Sequence, residues 1–472
     1  MKETKRLIRN TGIIALGGMA TKLVAFLLLP LYTSLLSTGE FGTVDYMNTI
    51  ALFLVPAVTL LMDEALFRFL IDCNTETEQK TIVTTTSAIL AAGLILFALI
   101  VLLISLFFNP QGLPWVTGLV IAQGMLTMTS AVLRGFGETF SYALLNFLAS
   151  GTTIILNVTF IAFLRWGVDG MMAATIIAQG GMALLFVVRM RIWRYFDRNT
   201  LSAREAKTLV KYSVPLIPNK VSWTIMNMLD RLIIMNVIGA EAAGIYAVSY
   251  KFPSVMDQIY GFFYQSWKES SARALNSDED ESFFYNSVYI ALRRFMISVV
   301  LVMTALMPIV YGVLIKGQFI EGYLYVPILL LATFFSNISG FYGGIFTAYK
   351  DTNIMGTTTV LSAVLCILLC LILIPPLGLY GASIATVAST FAVNEYRRQK
   401  VKRYVSLAEN KAEIAITVTA VVLVFSAFYT YAYTNALPAL VLCFTLSLAF
   451  AIGANYNLLK RSSHFIRSRR RK

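Results

Sequence analysis

The 472-residue chain is 57% hydrophobic and only 13% charged, with a mean hydropathy of +0.72, whereas soluble globular proteins carry about 25% charge. It reads as an all-α polytopic membrane protein, because helix-length apolar stretches without alternating polarity exclude an outer-membrane barrel and leave no length for a soluble catalytic module. The formal net charge of +13 then reports membrane topology and not nucleic acid, which needs a basic face on a soluble domain.

Breaks in hydrophobicity predict fourteen transmembrane helices, near 11–36, 44–67, 82–106, 114–133, 140–164, 167–188, 209–238, 243–266, 284–315, 323–347, 354–376, 378–396, 413–431 and 437–459. The first follows Lys2, Lys5, Arg6 and Arg9 but is too long for a secretory signal and lacks a small-residue cleavage site, so it is read as an uncleaved helix. With the N-terminus in the cytosol, 29 of the 38 Lys and Arg residues fall on cytosolic connections, and only Arg165 and Lys316 on outside ones. The positive-inside rule therefore places both termini in the cytosol.

The basic segments 189–211, 397–411 and 460–472, which suit anionic membrane lipids, divide the helices into six, six and two. The corresponding divisions are 1–203 (helices 1 to 6), 204–405 (helices 7 to 12) and 406–472 (helices 13 and 14 with a basic tail). The first two look related: Gly167, Gly170, Ala174 and Thr175 recur as Gly378, Gly381, Ala385 and Thr386, each displaced by 211 residues. Lys22 interrupts the first helix of one half and Lys220 that of the other. Two pseudo-symmetric six-helix lobes are a common build for alternating-access carriers, with the site between them near the membrane midplane.

Charges at membrane depth are costly, so they face the protein interior or a wet cavity and are functional candidates. Here they concentrate in helices 1, 2, 7 and 8. Lys22 sits too deep to snorkel easily. Lys220 and Arg231 are three turns apart and share a face with Trp223, Thr224 and Asn227. Lys251 lies in helix 8 ahead of Pro253 and Asp257. Each has a plainer reading: Lys22 paired with a buried carboxylate, Arg231 snorkelling outward, Glu64 and Arg68 as an i to i+4 pair, Arg293 and Arg294 reaching the inner surface. Tyr260, Phe262, Phe263 and Tyr264 read as packing or interfacial belt, Asp278 to Glu281 as a solvated loop. Cys73, Cys366, Cys370 and Cys443, with His464 the one histidine, give no CxxC pair, so no metal site or cofactor is expected. A cavity lined by several cations selects an anionic ligand, most simply a phosphate. Lys22, Lys220, Lys251, Arg231 and Arg68 are the candidates for substrate binding, and Glu64, Asp230 and Asp257 for coupling to a proton or sodium ion.

The segments LPLYTSLLSTGEFGTVDY (29–46) and DRLIIMNVIGAEAAGIYAVSYKFP (230–253) resemble those of the Wzx-type polysaccharide flippases, in the multidrug/oligosaccharidyl-lipid/polysaccharide exporter superfamily. The resemblance implies two six-helix bundles around a cationic cavity, carrying an undecaprenyl-diphosphate-linked oligosaccharide from the cytosolic to the outer leaflet of a bacterial inner membrane. Thr21-Lys22-Leu23 is similar to a Ser/Thr-cation-aliphatic arrangement of the lipid II flippases, with lysine in place of arginine, and Lys251 falls near another of their cavity arginines. A lipid II flippase and a multidrug exporter are the rival expectations. An enzyme is not expected, because every outside connection is about ten residues or shorter, too little for a polymerase loop.

Overall fold

The computed structural model describes residues 26, 28–108, 112–274, 281–349, 351, 353–407 and 410–469. Lys22 and most of the first predicted helix lie outside them, as do Asp278, Glu279 and Asp280. Among the described residues the chain is all-helical, and it divides between Met235 and Asn236 into two compact units.

In the first unit, α1 (Leu29–Leu35) leads to α2 (Thr38–Val58). The sequence Ser-Thr-Gly-Glu sets the start of α2: Glu40 N donates to Ser37 Oγ at 3.2 Å, and Ser37 N donates to Glu40 Oε2 at 2.8 Å. The predicted second span, 44–67, is not one helix. Pro56 removes a helical donor, and Leu60 and Leu61 take left-handed conformations at φ 51° and 49°, so the helix stops and restarts as α3 (Met62–Leu70). Gly93 of α4 (Glu76–Phe107) lies against this break, where a Cβ would run into the Val58 carbonyl oxygen. α4 starts on the equivalent Thr75–Glu78 capping box, and most of its length shows apolar side chains outward, as a lipid-facing helix does.

The rest of this unit is α5 (Leu113–Gly135), α6 (Thr139–Asn157) running on as a π-helical turn Val158–Phe163, α7 (Gly167–Arg189), α8 (Ala203–Ser213) and α9 (Ile217–Val237). Its core joins Leu66 and Leu70 of α3 to Val83, Met128, Leu133, Leu145 and Phe186 from α4 to α7. Short α8 lays Leu209 against Met62, Ala65 and Ile82. The basic segment before it is pinned to α4, since Thr84 Oγ1 donates to the Tyr195 carbonyl at 2.9 Å and accepts from Asp197 N at 3.0 Å.

The second unit contains α10 (Ala240–Ala274), α11 (Glu281–Leu314), a 3-10 segment Gly317–Leu324, α12 (Val326–Ala348), α13 (Asn353–Val401), α14 (Lys411–Thr434) and α15 (Leu437–Arg469). The eleventh and twelfth predicted spans are the two helical stretches of α13, divided just after Pro375-Pro376 at Gly378, whose φ of 59° and ψ of −134° are not helical. Central α12 is 72% buried over its most apolar stretch, whereas α14 and α15 are 17% and 11% buried and present apolar side chains outward. Beyond the spans, Tyr404 Oη donates to Asp351 Oδ2 at 2.5 Å, tying the chain after α13 to the turn after α12; that bond holds the phenol above its ordinary range.

Among the described residues ten helices are long and apolar enough to cross a membrane, against the fourteen expected. The first expected helix lies almost wholly outside those residues, the two stretches of α13 count as one, and α9 and α10 are too polar, for they carry Lys220, Asp230, Arg231, Lys251 and Asp257.

The four residues shared at a displacement of 211 behave alike in the two units. Gly167 and Gly378 both have positive φ, 54° and 59°. Gly170 and Gly381 both lack room for a Cβ, which would collide with Trp166 Cβ in one case and the Leu373 carbonyl oxygen in the other. Ala174 and Ala385 are fully buried, and Thr175 and Thr386 each return a hydrogen bond of 2.9 Å to the carbonyl four residues back.

Candidate functional site

The break at Leu60–Leu61 is what creates a polar site in the first unit. It opens a fresh helix N-terminus inside a membrane span and places Asp63 and Glu64 in the first turn of α3, where the helix dipole favours acidic groups. These carboxylates line a cleft of about 190 Å³ together with Thr127, Ser130 and Arg134 of α5 and Tyr142 and Asn146 of α6. Asn146 Nδ2 donates to the Tyr142 carbonyl at 2.9 Å and to Ser130 Oγ at 3.4 Å. Arg134 is held by rings: its guanidinium carbon stands 4.1 Å from the centre of Phe67 and 5.5 Å from that of Tyr142.

The expected Glu64–Arg68 pair does not form. Arg68 bonds forward to Asp72, Nη1 to Oδ2 at 2.6 Å, on the exposed connection after α3. That choice leaves Glu64 without a side-chain hydrogen bond or ion pair among the described residues, and its carboxylate faces the cleft. Lys220 is exposed on α9, close enough for its charge to act on Asp63.

Arg231 is half-buried and held by a carboxylate: its Nη1 donates to both carboxylate oxygens of Asp45, at 3.0 and 3.2 Å, with each side chain 13% exposed. Asp45 lies in the segment 29–46 and Arg231 in 230–253, so the two stretches singled out in the sequence meet through one ion pair. Asp45 was missed because it stands at the edge of a predicted span. Neighbouring Asp230 is 5% exposed and accepts from Arg231 N at 2.9 Å.

In the second unit Lys251 is exposed on α10 and Asp257 is half-buried on the same helix. Tyr260, Phe263, Tyr264 and Trp267 form a ladder of rings below them, closed by Trp267 stacked on Phe341 at 4.3 Å. This is packing rather than a platform. Arg293 and Arg294 both grip Glu413 at the start of α14, at 2.7 and 2.8 Å, and so fasten α14 to α11. Sequence reasoning missed Arg397, hidden in the run Arg-Arg-Gln-Lys. It is 8% exposed and donates to Thr358 Oγ1 at 2.8 Å and to the carbonyls of Ser339 and Met355 at 3.2 and 3.3 Å, clamping α12 and the start of α13 to its end. Cys366 and Cys370 are buried, with sulfurs 3.9 Å apart in a hydrogen bond and not in a disulfide.

A family model described as polysaccharide biosynthesis protein matches residues 7–267. No curated protein matches the sequence. Among solved structures the chain is similar to a lipid II flippase, MurJ, in an inward closed conformation, at 13% identity and a TM-score of 0.66 over 94% of this chain and 99% of that one. It is similar as well to an inward-facing multidrug resistance MATE family transporter of the MOP superfamily, at 14% identity and a TM-score of 0.64 over 81% and 95%. A MOP superfamily transporter from Pyrococcus furiosus, reported for the reverse polarity of its binding pocket, matches at 16% identity and a TM-score of 0.53 over 84% and 95%. At such identities these likenesses establish the fold, that of the MATE and MurJ transporters.

Proposed function

We propose that this chain, which belongs to the polysaccharide biosynthesis protein family and is a multi-pass membrane transporter rather than an enzyme, is a flippase for an undecaprenyl-diphosphate-linked oligosaccharide repeat unit. It moves the diphosphate and sugars from the cytosolic to the outer leaflet of a bacterial inner membrane by alternating access, while the prenyl chain stays in lipid. The observation that carries this reading is the family match over residues 7–267 on a transporter fold. The glycan assignment rests on that match, because the multidrug and lipid II transporters share only the fold.

The reading includes fourteen membrane helices with both termini cytosolic, two six-helix lobes (1–203 and 204–405) and a final helix pair (406–472). It is supported by where the charges fall: α9 and α10, the two helices too polar to count as ordinary spans, carry Lys220 and Lys251 on exposed positions. With Lys22 they are the cations we assign to the diphosphate, each acting as a point charge toward phosphate oxygens. Arg231 and Arg68 are engaged by Asp45 and Asp72 and act on substrate only if those pairs open. Asp257 and Asp230 are the better placed carboxylates for a coupling cation, since Glu64 faces the polar cleft.

The full-length chain reconstituted in liposomes, with the lipid-linked repeat unit extracted from the producing cells, tests the proposal. A hydrophilic glycan-modifying enzyme outside the vesicles should reach the inner-leaflet pool only when the protein is present. Equal access in protein-free vesicles, together with normal surface polysaccharide in cells lacking the gene, overturns it.

A further inference from the structure

We infer that the cleft between α3, α5 and α6 is a saccharide subsite, taking one uncharged sugar residue of the lipid-linked glycan; the inference rests on the flippase reading and names which part of the substrate binds where. The carboxylates of Asp63 and Glu64, the Asn146 amide and the Arg134 guanidinium converge on a space of about 190 Å³. Sites for drug-sized ligands begin at about 300 Å³, so this one admits a group of monosaccharide size and not a whole repeat unit.

The lining discriminates between ligand classes. A sugar hydroxyl donates one hydrogen bond and accepts others, so it needs acceptors and donors side by side. Asp63 and Glu64 accept; Arg134 and Asn146 donate. A bare cation finds Arg134 in the same small space, and a phosphate or uronic acid meets two carboxylates at short range. An uncharged polyol satisfies both sets. The charges are also not used up internally: Glu64 and Arg134 are both exposed, and among the described residues neither is in an ion pair, so both remain available to a polar ligand in the cleft. Arg134 is kept in place by Phe67 and Tyr142 through ring faces, which leaves its N–H edge available.

Position agrees with loading. Glu64 is six residues from the end of α3, Arg134 is one from the end of α5 and Asn146 is seven into α6. At about 1.5 Å per residue the cleft lies within roughly 10 Å of helix ends that the charge distribution assigns to the cytosol, the side on which the glycan is assembled. The lysines hold the diphosphate, and this acid-lined cleft holds a sugar.

Thiol protection tests it on the full chain in lipid nanodiscs, with Cys73, Cys366, Cys370 and Cys443 replaced by serine and Thr127→Cys on the cleft wall. The alkylation rate by a water-soluble maleimide is measured with three probes: the lipid-linked repeat unit from the producing cells, undecaprenyl diphosphate without sugar, and sodium chloride. The lipid-linked glycan at about ten times its Kd should slow alkylation about tenfold, undecaprenyl diphosphate and sodium should not, and Glu64→Gln or Asn146→Ala should abolish the protection. Protection by undecaprenyl diphosphate alone, or by sodium, overturns the saccharide assignment. So does an unprotected thiol in a Thr127→Cys protein that still flips the glycan in liposomes. Failure of flipping itself strikes the parent proposal instead, so the two failures are distinguishable.

Discussion

Arg231 and Asp45 offer the sharpest test of how the intramembrane charges divide between holding the fold and meeting the substrate. Each side chain is 13% exposed, and one guanidinium nitrogen lies 3.0 and 3.2 Å from the two carboxylate oxygens. Breaking a buried pair from one side strands the other charge at about 3–5 kcal/mol. At 1.4 kcal/mol per tenfold, Asp45→Asn or Arg231→Gln should lower the folded-to-unfolded ratio by between about a hundredfold and several thousandfold. Removing both charges together leaves no stranded ion, so Asp45→Asn/Arg231→Gln should recover most of that loss. Abundance of monodisperse protein extracted from membranes, with thermal unfolding in detergent, gives the stability side of the cycle. Polysaccharide export normalised to abundance gives the functional side. A purely structural pair predicts low abundance in both single variants, recovery in the double variant, and export that follows abundance throughout. If Arg231→Gln abolishes export at normal abundance while Asp45→Asn is silent, the pair is incidental and Arg231 is a substrate contact, as its sequence position suggested.

Lys22→Gln should abolish export while the protein still accumulates in the membrane, and Lys22→Arg should keep much of it, because a phosphate answers to charge more than to fork geometry; normal export from the glutamine variant at normal abundance removes Lys22 from the mechanism. For topology, a single cysteine at Gly39 should react with an impermeant thiol reagent on intact cells and one at Thr200 should not; the reverse pattern inverts the assignment. Arg397→Lys should lower thermal stability by about 2 kcal/mol, since lysine cannot keep the guanidinium's several charge-assisted hydrogen bonds, and unchanged melting refutes the clamp. Glu413→Gln leaves Arg293 and Arg294 without their shared partner and should speed proteolysis at the connection before α14, with digestion at the wild-type rate contradicting the fastening role.

What the sequence made legible was whatever is encoded locally. Apolar runs marked the helices, and the Ser37–Glu40 and Thr75–Glu78 spacings are capping boxes that an S/T-x-x-E pattern announces. The break at Leu60–Leu61 is invisible to hydrophobicity because the residues that turn the chain are themselves apolar, and only Pro56 hints at it. Pro375-Pro376 and Gly378 were legible too: the boundary read between the eleventh and twelfth helices falls where the backbone leaves the helix at Gly378. Charge pairing was the least readable feature. Arg68 had acidic residues four positions away on either side, and helix spacing alone does not choose between them. Asp45 and Arg231 are separated by 186 residues, and Arg293 and Glu413 by 120, distances at which spacing rules carry no information.

The repeat and the charges lead to different conclusions about the two halves. Gly167 and Gly378 both have positive φ, and Gly170 and Gly381 both lack room for a Cβ, so the chain places the same glycine requirements twice, 211 residues apart. Such constraints concern how a helix is launched, and they hold whatever passes through the protein. The polar residues do not repeat in this way. Asp63, Glu64, Arg134 and Asn146 form a cleft in the first unit, while Arg134 and Asn146 have Ile345 and Thr357 at the displacement of 211 residues. Within the two-lobe flippase reading proposed above, polar groups that differ between the lobes suit a cargo with two chemically distinct ends, since a charged diphosphate and an uncharged sugar cannot be served by the same lining.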